Sequence, residues 1–249
     1  MIGSFIAHGL SMQECADESL IQMYYPPSLL PKSRLETNFA LSHSFAGSDT
    51  TSTTIRVLMM HIISHFQVQQ RLLEECLSVN LPLTEIISDK RAKELPYLQA
   101  CLKESLRVFP SAAGLMLKDA PPGGDTLPDG TFIPGGTAIG HCAWAIHRNK
   151  AIYGPDAHLF RPERWLEATG ERLAKMEKTQ LNVFGHGLYR CLGENIAKVE
   201  LNKVIFELVR RFEITLEDPA KPFERNTSYG LFLQTGMWVR IEEREAPVS

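Results

Sequence analysis

The stretch Phe184-Gly185-His186-Gly187-Leu188-Tyr189-Arg190-Cys191-Leu192-Gly193 sets one cysteine among glycines, seven positions after an aromatic ring and directly before a long helical pattern. A thiol so placed sits in a tight loop at a helix N-terminus. Glycines permit positive φ and a close approach of backbone to a ligand. The free N–H groups and dipole at a helix start favour the thiolate over the thiol. A flat prosthetic group could lie against such a loop. The competing reading is a small, inert hydrophobe, which is how a lone cysteine more often behaves. The rest of the chain has to decide between them.

At 249 residues, with 44% hydrophobic and 22% charged, the chain can bury one sizeable core and has the composition of an ordered globular protein. A formal net charge of -3 gives no reason to expect a nucleic-acid partner. The five cysteines, Cys15, Cys76, Cys101, Cys142 and Cys191, stand far apart without a C-x-x-C pair, which argues against a zinc site or a disulfide framework and for a reducing compartment or a cytosolic face. No apolar run reaches the length of a membrane span and the first 30 residues lack a signal-peptide pattern, so the expectation is a chain without an anchor of its own.

Upstream of the cysteine, Ser11-Met12-Gln13-Glu14 has the form of a capping box and predicts a helix over about 12–25, ended by Pro26 and Pro27. A second box, Ser33-Arg34-Leu35-Glu36, restarts a helix that runs to about 66. Residues 55–63 are apolar on nearly every side, the mark of a core helix. Within that helix, Ala46-Gly47-Ser48-Asp49-Thr50-Thr51 predicts a local distortion, because Gly lowers helix propensity and the hydroxyls compete for backbone carbonyls. An amphipathic surface helix follows over 67–79, facing inward through Val68, Leu72, Leu73 and Leu77. Pro96 opens another that ends at Phe109 and sets Glu104 and Arg107 on one face at i, i+3.

Residues 115–139 alternate between turn signals and predict short antiparallel strands. Residues 144–147 form at most one helical turn, and 153–183 read as a long ordered loop. After Cys191 a helix spans 194–212 on Ile196, Val199, Val204, Ile205, Leu208 and Val209, and a strand-like tail reaches 243. His61 and His65, at i, i+4, lack the glutamate of a zinc-protease motif and read as core or interface histidines. Lys198, Lys203, Arg210 and Arg211 read as a solvated helix face with at most a weak docking role. The fold class is mainly α with small antiparallel β-sheets.

Five segments in one order carry a resemblance. Phe184-x-x-Gly187-x-x-x-Cys191-x-Gly193 is similar to the haem-ligand loop of the haem-thiolate monooxygenases, the cytochrome P-450 superfamily. Residues 46–51 resemble its oxygen-activating segment, Glu104-Ser105-Leu106-Arg107 its E-x-x-R helix, Pro162-Glu163-Arg164-Trp165 its P-E-R-F segment, and 153–157 the stretch before that. The resemblance implies that Cys191 is the axial thiolate of haem iron, with Phe184 packed beside the sulfur and Gly187 and Gly193 shaping the loop. It implies that Thr50 bonds to dioxygen on the opposite face of the haem and that Asp49 relays protons. Ala46 and Gly47 would form the oxygen groove. For Thr50 the alternative is a helical hydroxyl bonded to the carbonyl four residues earlier. Glu104, Arg107 and Arg164 would form a buried triad that maintains the haem pocket.

The sequence also departs from that pattern. Tyr189 stands where the family usually has Arg or His on a propionate, with Arg190 one place later, and Lys118 replaces a more usual Arg; Lys cannot pair in bidentate fashion. Relatives run to about twice this length, so residues 1–249 read as a single incomplete domain, the C-terminal half of the cytochrome P-450 fold. Residues 24–43 read as an atypical proline-rich insert, consistent with a translated intron.

The function implied is insertion of one oxygen atom from O2 into a small hydrophobic organic substrate, as in hydroxylation or O-demethylation of an aromatic or secondary metabolite. The flanking residues 3–11 are most like fungal members of the pisatin-demethylase type. The implied cofactor is haem b, iron protoporphyrin IX, and the implied electron donor an NADPH-dependent flavoprotein reductase. For full-length relatives the resemblance implies the cytosolic face of the endoplasmic reticulum membrane. The alternatives are a non-catalytic remnant and a reductase-independent peroxygenase or isomerase.

Overall fold

The computed structural model describes residues 32–187, 190–228 and 230–244. Helix α1 (Lys32–Ser64) is followed by α2 (Phe66–Ser78), the short α3 (Asp89–Lys93) and α4 (Pro96–Val108). Four two-residue strands come next: β1 (Lys118–Asp119), β2 (Asp125–Thr126), β3 (Phe132–Ile133) and β4 (Ala138–Ile139). Helices α5 (Ala143–Ile146), α6 (Lys150–Tyr153), α7 (Arg164–Glu167) and α8 (Gly170–Gln180) lead into a 3-10 turn, Leu181–Phe184. Helix α9 (Glu194–Arg211) runs directly into β5 (Phe212–Leu216), and β6 (Arg225–Ser228), β7 (Phe232–Thr235) and β8 (Val239–Glu243) finish the chain. All four strand pairs are antiparallel: β1 with β4, β2 with β3, β5 with β8 and β6 with β7.

The main core is made where α1, α2, α4 and α9 pack together. Leu58 and Ile62 of α1, Leu72 of α2, Leu98 and Cys101 of α4, and Ile205 and Phe206 of α9 are all within 1% of complete burial. Each such side chain contributes about 1.5–3 kcal/mol of transfer free energy, so these four helices hold the frame on which the rest hangs. A smaller core of Ala100, Tyr153, Ala157, Trp165, Ala168 and Met176 joins α4 to α6, α7 and α8.

Two carboxylates fasten the frame. Pro96 begins α4 without an N–H, and Glu75 of α2 accepts the next two free donors, Tyr97 N–H and Leu98 N–H, each at 2.8 Å; a helix start otherwise leaves such groups unpaired. Glu207 of α9 accepts Ile87 N–H at 2.9 Å and ion-pairs with Arg210 and Arg211.

The strand and helix expectations on either side of the core hold, with five differences, the first being that Ile196 and Val204 of α9, expected on its apolar side, are exposed. The predicted distortion at 46–51 is absent: α1 passes through without a break, and Gly47 is not among the positive-φ residues. Hydroxyls there bond along the helix, Thr50 Oγ1 to Ala46 O at 2.7 Å and Thr54 Oγ1 to Thr50 O at 3.0 Å, so they decorate the ladder without breaking it. The expected loop over 153–183 contains α7 and the 11-residue α8, which buries Met176 and Gln180 against the small core. Leu77 of α2 is exposed and Cys76 is buried in its place. Arg210 is not on a solvated face: it is 4% exposed and donates to Leu81 O at 2.8 Å and to Glu85 O, tying the loop before α3 to α9.

The helix predicted over 12–25 and residues 24–31 of the proline-rich insert lie outside the described residues, whereas 32–43 belong to α1. No helix among the described residues is long and apolar enough to cross a membrane.

Candidate functional site: a buried ion cluster and an exposed thiol

Glu104 is fully buried and takes five hydrogen bonds. Its Oε1 accepts from Arg107 Nη2 at 2.7 Å, Arg164 Nε at 2.8 Å and Arg161 N–H at 2.8 Å, and its Oε2 accepts from Arg107 Nε at 2.8 Å and Trp165 Nε1 at 2.9 Å. Side chains of Glu104, Arg107 and Arg164 have no exposure. Buried charge survives only with partners and hydrogen bonds for the remaining protons. The carbonyls of the 147–159 segment supply them. Arg107 Nη1 donates to His147 O at 2.7 Å and Ala157 O at 2.6 Å, and its Nη2 to Leu159 O at 2.9 Å. Arg164 Nη1 donates to Tyr153 O at 2.6 Å and to Asp156 Oδ1 at 3.0 Å. The predicted triad is assembled, and Asp156, which sequence reasoning did not single out, adds a second acid.

Asp156 also accepts from Arg161 Nε through Oδ2 at 2.6 Å. Burial raises the Asp156 carboxyl's pKa, but hydrogen bonds from Arg164 and Arg161 outweigh it and hold it at about 2. With Glu104, this gives the two buried guanidiniums one carboxylate each.

The cysteine loop is built differently. The 3-10 turn Leu181–Phe184 ends at Gly185 with φ 75°, and Gly187 adopts φ 62°, both in the left-handed region where a side chain is strained. Cys191 N–H donates to Phe184 O at 2.7 Å and closes the loop immediately before α9. The thiol itself is exposed, as is Leu192, while Phe184 is half-buried. A Cβ placed on Gly187 would meet nothing within 4 Å, and one on Gly193 would meet only Cys191 Sγ, at 3.9 Å. The approach to the sulfur is therefore unobstructed on the glycine side. Cys76 and Cys101 differ sharply: both are buried, and burial pushes the Cys76 thiol up to about 12 and the Cys101 thiol upward as well.

Lys118 of β1 reaches the loop, its Nζ donating to His186 O at 3.2 Å. Arg190 is turned the other way, onto Glu194 of α9, with Nε to Oε2 at 2.7 Å and Nη2 to Oε1 at 3.1 Å; Lys198 shares the same carboxylate at 2.6 Å. Hydrogen bonds from Arg190 hold the Glu194 carboxyl below its ordinary range. Beside Lys118 lies an exposed apolar run, Leu115, Met116 and Leu117, with Met116 at φ 45°. Gly140 permits the close approach behind it, since a Cβ there would overlap the Leu115 carbonyl.

Helix α1 joins this region through β7. Thr53 Oγ1 donates to Phe232 O at 3.4 Å and Arg56 Nη1 to Gln234 O at 3.2 Å. Phe232 N–H in turn bonds to Ser111 O at 3.0 Å, and Phe232 packs against Phe109 and Trp144. Ala46, Gly47 and Ser48 are exposed on α1, and Asp49 and Thr50 half-buried. His61 stacks on Phe160 at 4.3 Å with the planes within 3°, and burial lowers its pKa to about 4, which suits the core reading for His61, whereas His65 is exposed. Among the described residues no group of three or more metal-ligating side chains converges.

Residues 36–237 match the family model for cytochrome P-450. The chain belongs to the cytochrome P-450 family. Among curated relatives it is 36% identical over 247 residues to the cytochrome P-450 monooxygenase ABA1 of Pyricularia oryzae, covering 98% of this chain and 44% of that protein. It is 37% identical over 250 residues to aba1 of Botryotinia fuckeliana (98% and 44%), and 37% identical over 246 residues to the monooxygenase cfoH of Aspergillus candidus (96% and 45%). This cytochrome P-450 chain thus spans less than half the length of the curated relatives it matches.

The family implies a haem, and the residues present fit one. A thiol outside the core, open on the glycine side, with Phe184 and Leu192 beside it and the apolar 115–117 run nearby, suits a flat, largely apolar group that binds through sulfur. Both nearby cations are engaged, Lys118 with His186 O and Arg190 with Glu194.

Proposed function

We propose that this chain carries the haem-binding and oxygen-handling half of a monooxygenase that inserts one oxygen atom from O2 into a small hydrophobic organic molecule. Haem b, iron protoporphyrin IX, would be held by the Cys191 thiolate. The observation that carries this reading is the exposed Cys191 thiol, fixed by its backbone bond to Phe184 O at the start of α9. When bound, the haem supplies dioxygen activation, with the thiolate's electron density favouring O–O cleavage.

The chain's own residues supply the rest. Gly187 and Gly193 keep bulk away from the sulfur, and Phe184 fixes it through its backbone carbonyl. Lys118 Nζ offers a propionate a point charge. Arg190 can serve a propionate only by leaving Glu194. Thr50 Oγ1 commits its proton to Ala46 O, which leaves the oxygen's lone pairs free to accept. Its role is therefore to receive and orient a proton donor at Oγ1, with Asp49 next to it as the carboxylate that passes protons on. Ala46 and Gly47 present the small surface against which dioxygen fits. The Glu104, Arg107 and Arg164 cluster does no chemistry and holds the 147–164 segment in shape.

Electrons would come from an NADPH-dependent flavoprotein reductase. The substrate would be an aromatic or secondary metabolite that is oxidised or O-demethylated, and the full-length protein would lie on the cytosolic face of the endoplasmic reticulum membrane.

The test is reconstitution of the chain with haem, followed by reduction under carbon monoxide. The expected result is the red-shifted Soret band of a thiolate-ligated haem, lost in Cys191→Ser. Haem bound by the wild-type chain without that band would overturn the assignment of Cys191.

A further inference from the structure

His147, the residue that caps the C-terminal end of α5, has no exposed surface, yet it touches two separate parts of the molecule. Its backbone carbonyl accepts from Arg107 Nη1 at 2.7 Å inside the ion cluster. Its ring Nε2 lies 3.1 Å from Thr179 O near the C-terminal end of α8. A carbonyl oxygen can only accept, so Nε2 carries the ring proton. Nδ1 is then a bare acceptor, and it is buried without a hydrogen-bond partner in the structure. Leaving such a group unpaired is unfavourable, and a phenylalanine would fill the same space without doing so. The Nε2–H bond is what distinguishes histidine here.

That bond lands at a sensitive place. Thr179 is followed by Gln180, the last residue of α8, and then by the 3-10 turn Leu181–Phe184. Phe184 O is the acceptor that fixes Cys191 N–H. A continuous path of bonds therefore runs from Glu104 through Arg107 to His147, across the ring to the end of α8, and along one turn of backbone to the cysteine. Burial, opposed by the Thr179 carbonyl and reinforced by Arg107, His141 and Arg148, lowers the His147 pKa to about 4, so the ring is neutral near pH 7 with one proton to donate.

We infer that His147 is a positioning residue that couples the buried ion cluster to the cysteine loop, its carbonyl gripping Arg107 while its ring Nε2–H sets the turn that presents Cys191. The consequence for the iron ligand rests on the function proposed above; the coupling itself does not.

Hydrogen–deuterium exchange on the full chain tests the coupling without haem. His147→Phe removes the donor and keeps the bulk, whereas His147→Gln keeps an N–H that can reach Thr179 O. Amide exchange at residues 181–185 and at Cys191 rises roughly tenfold in His147→Phe, the effect of one lost net hydrogen bond on local opening. In His147→Gln it stays within about twofold of wild type. Segments in α2 remain unchanged in both. Equal exchange in the two variants, or acceleration spread evenly over α2 and α9, would overturn the inference. In haem-loaded samples, His147→Phe lowers the share of thiolate-ligated haem relative to His147→Gln. Failure of the wild-type chain to bind haem would strike at the iron-ligand reading alone, because the exchange result does not depend on it.

Discussion

The ion cluster around Glu104 and the loop around Cys191 belong to one family signature, yet they are opposite kinds of structure. In the first, three charged side chains have no exposure and every contact is with protein, five of them converging on one carboxylate. In the second, Cys191 is exposed and the bond that places it is a backbone bond, its N–H to Phe184 O. The lesson is a division of labour. The cluster is complete by itself and holds the chain around it, whereas Cys191 is placed by its backbone bond to Phe184 O and is open at its sulfur. Substitutions in the cluster should register in stability, and substitutions at the sulfur in binding.

Glu104→Gln gives the largest effect. It leaves two buried guanidiniums facing a neutral amide, and the expected loss is about 3–5 kcal/mol of unfolding free energy, read from urea unfolding by circular dichroism. A loss below about 1 kcal/mol would mean that the cluster is not the structural element described.

Arg164→Lys comes next. Lysine keeps the charge but not the fork that joins Glu104, Tyr153 O and Asp156, and about 2 kcal/mol is expected to be lost. Full stability in this variant would show that charge alone suffices.

Asp156→Asn is smaller, about 1 kcal/mol at neutral pH, and its signature is a pH profile. The Asp156 carboxyl titrates at about 2 in the folded protein and near 4 when unfolded. A folded pKa below the unfolded one makes a contribution that is complete above pH 4 and fades as pH falls toward 2. The wild-type chain should lose stability across that window more steeply than Asp156→Asn, as thermal melts at a series of pH values would reveal; parallel curves would remove Asp156 from the cluster.

Cys191→Ser has the smallest effect on the fold, within about 0.5 kcal/mol, while abolishing the thiolate Soret signature. A large destabilisation would place the thiol in the structural class with Glu104 and erase the contrast between the two regions.

Much of this was legible in the chain alone, unevenly. Glu104 and Arg107 share a helix face because helical spacing dictates it, and Cys191 precedes a helix because the apolar pattern begins right after it. Arg164 could be joined to them only by resemblance. Asp156 and His147 were not legible, because what matters in each is a contact with a residue 8 to 40 positions away. Asp156 answers Arg164 from eight residues away, and His147 answers Thr179 from 32 away. Helix α8 was missed because its glycine start and charged surface look like a loop until Met176 finds the small core. Arg210 was misplaced for the mirror reason: a charge reads as solvated unless carbonyls such as those of Leu81 and Glu85 are folded over it.

The sequence by itself determined the elements whose cause is local. These are the central helix, the proline-started helix with its Glu–Arg pair, the turn-bounded strands and the glycine loop at the cysteine. Each follows from periodicity, capping or allowed φ values, which act within a few residues. Only the tertiary structure decided which charges are buried, that Asp156 answers Arg164, and that His147 bridges the ion cluster to α8. Those outcomes depend on which partners meet after folding, and in a buried site the partner decides whether a charge or an imidazole can exist there at all.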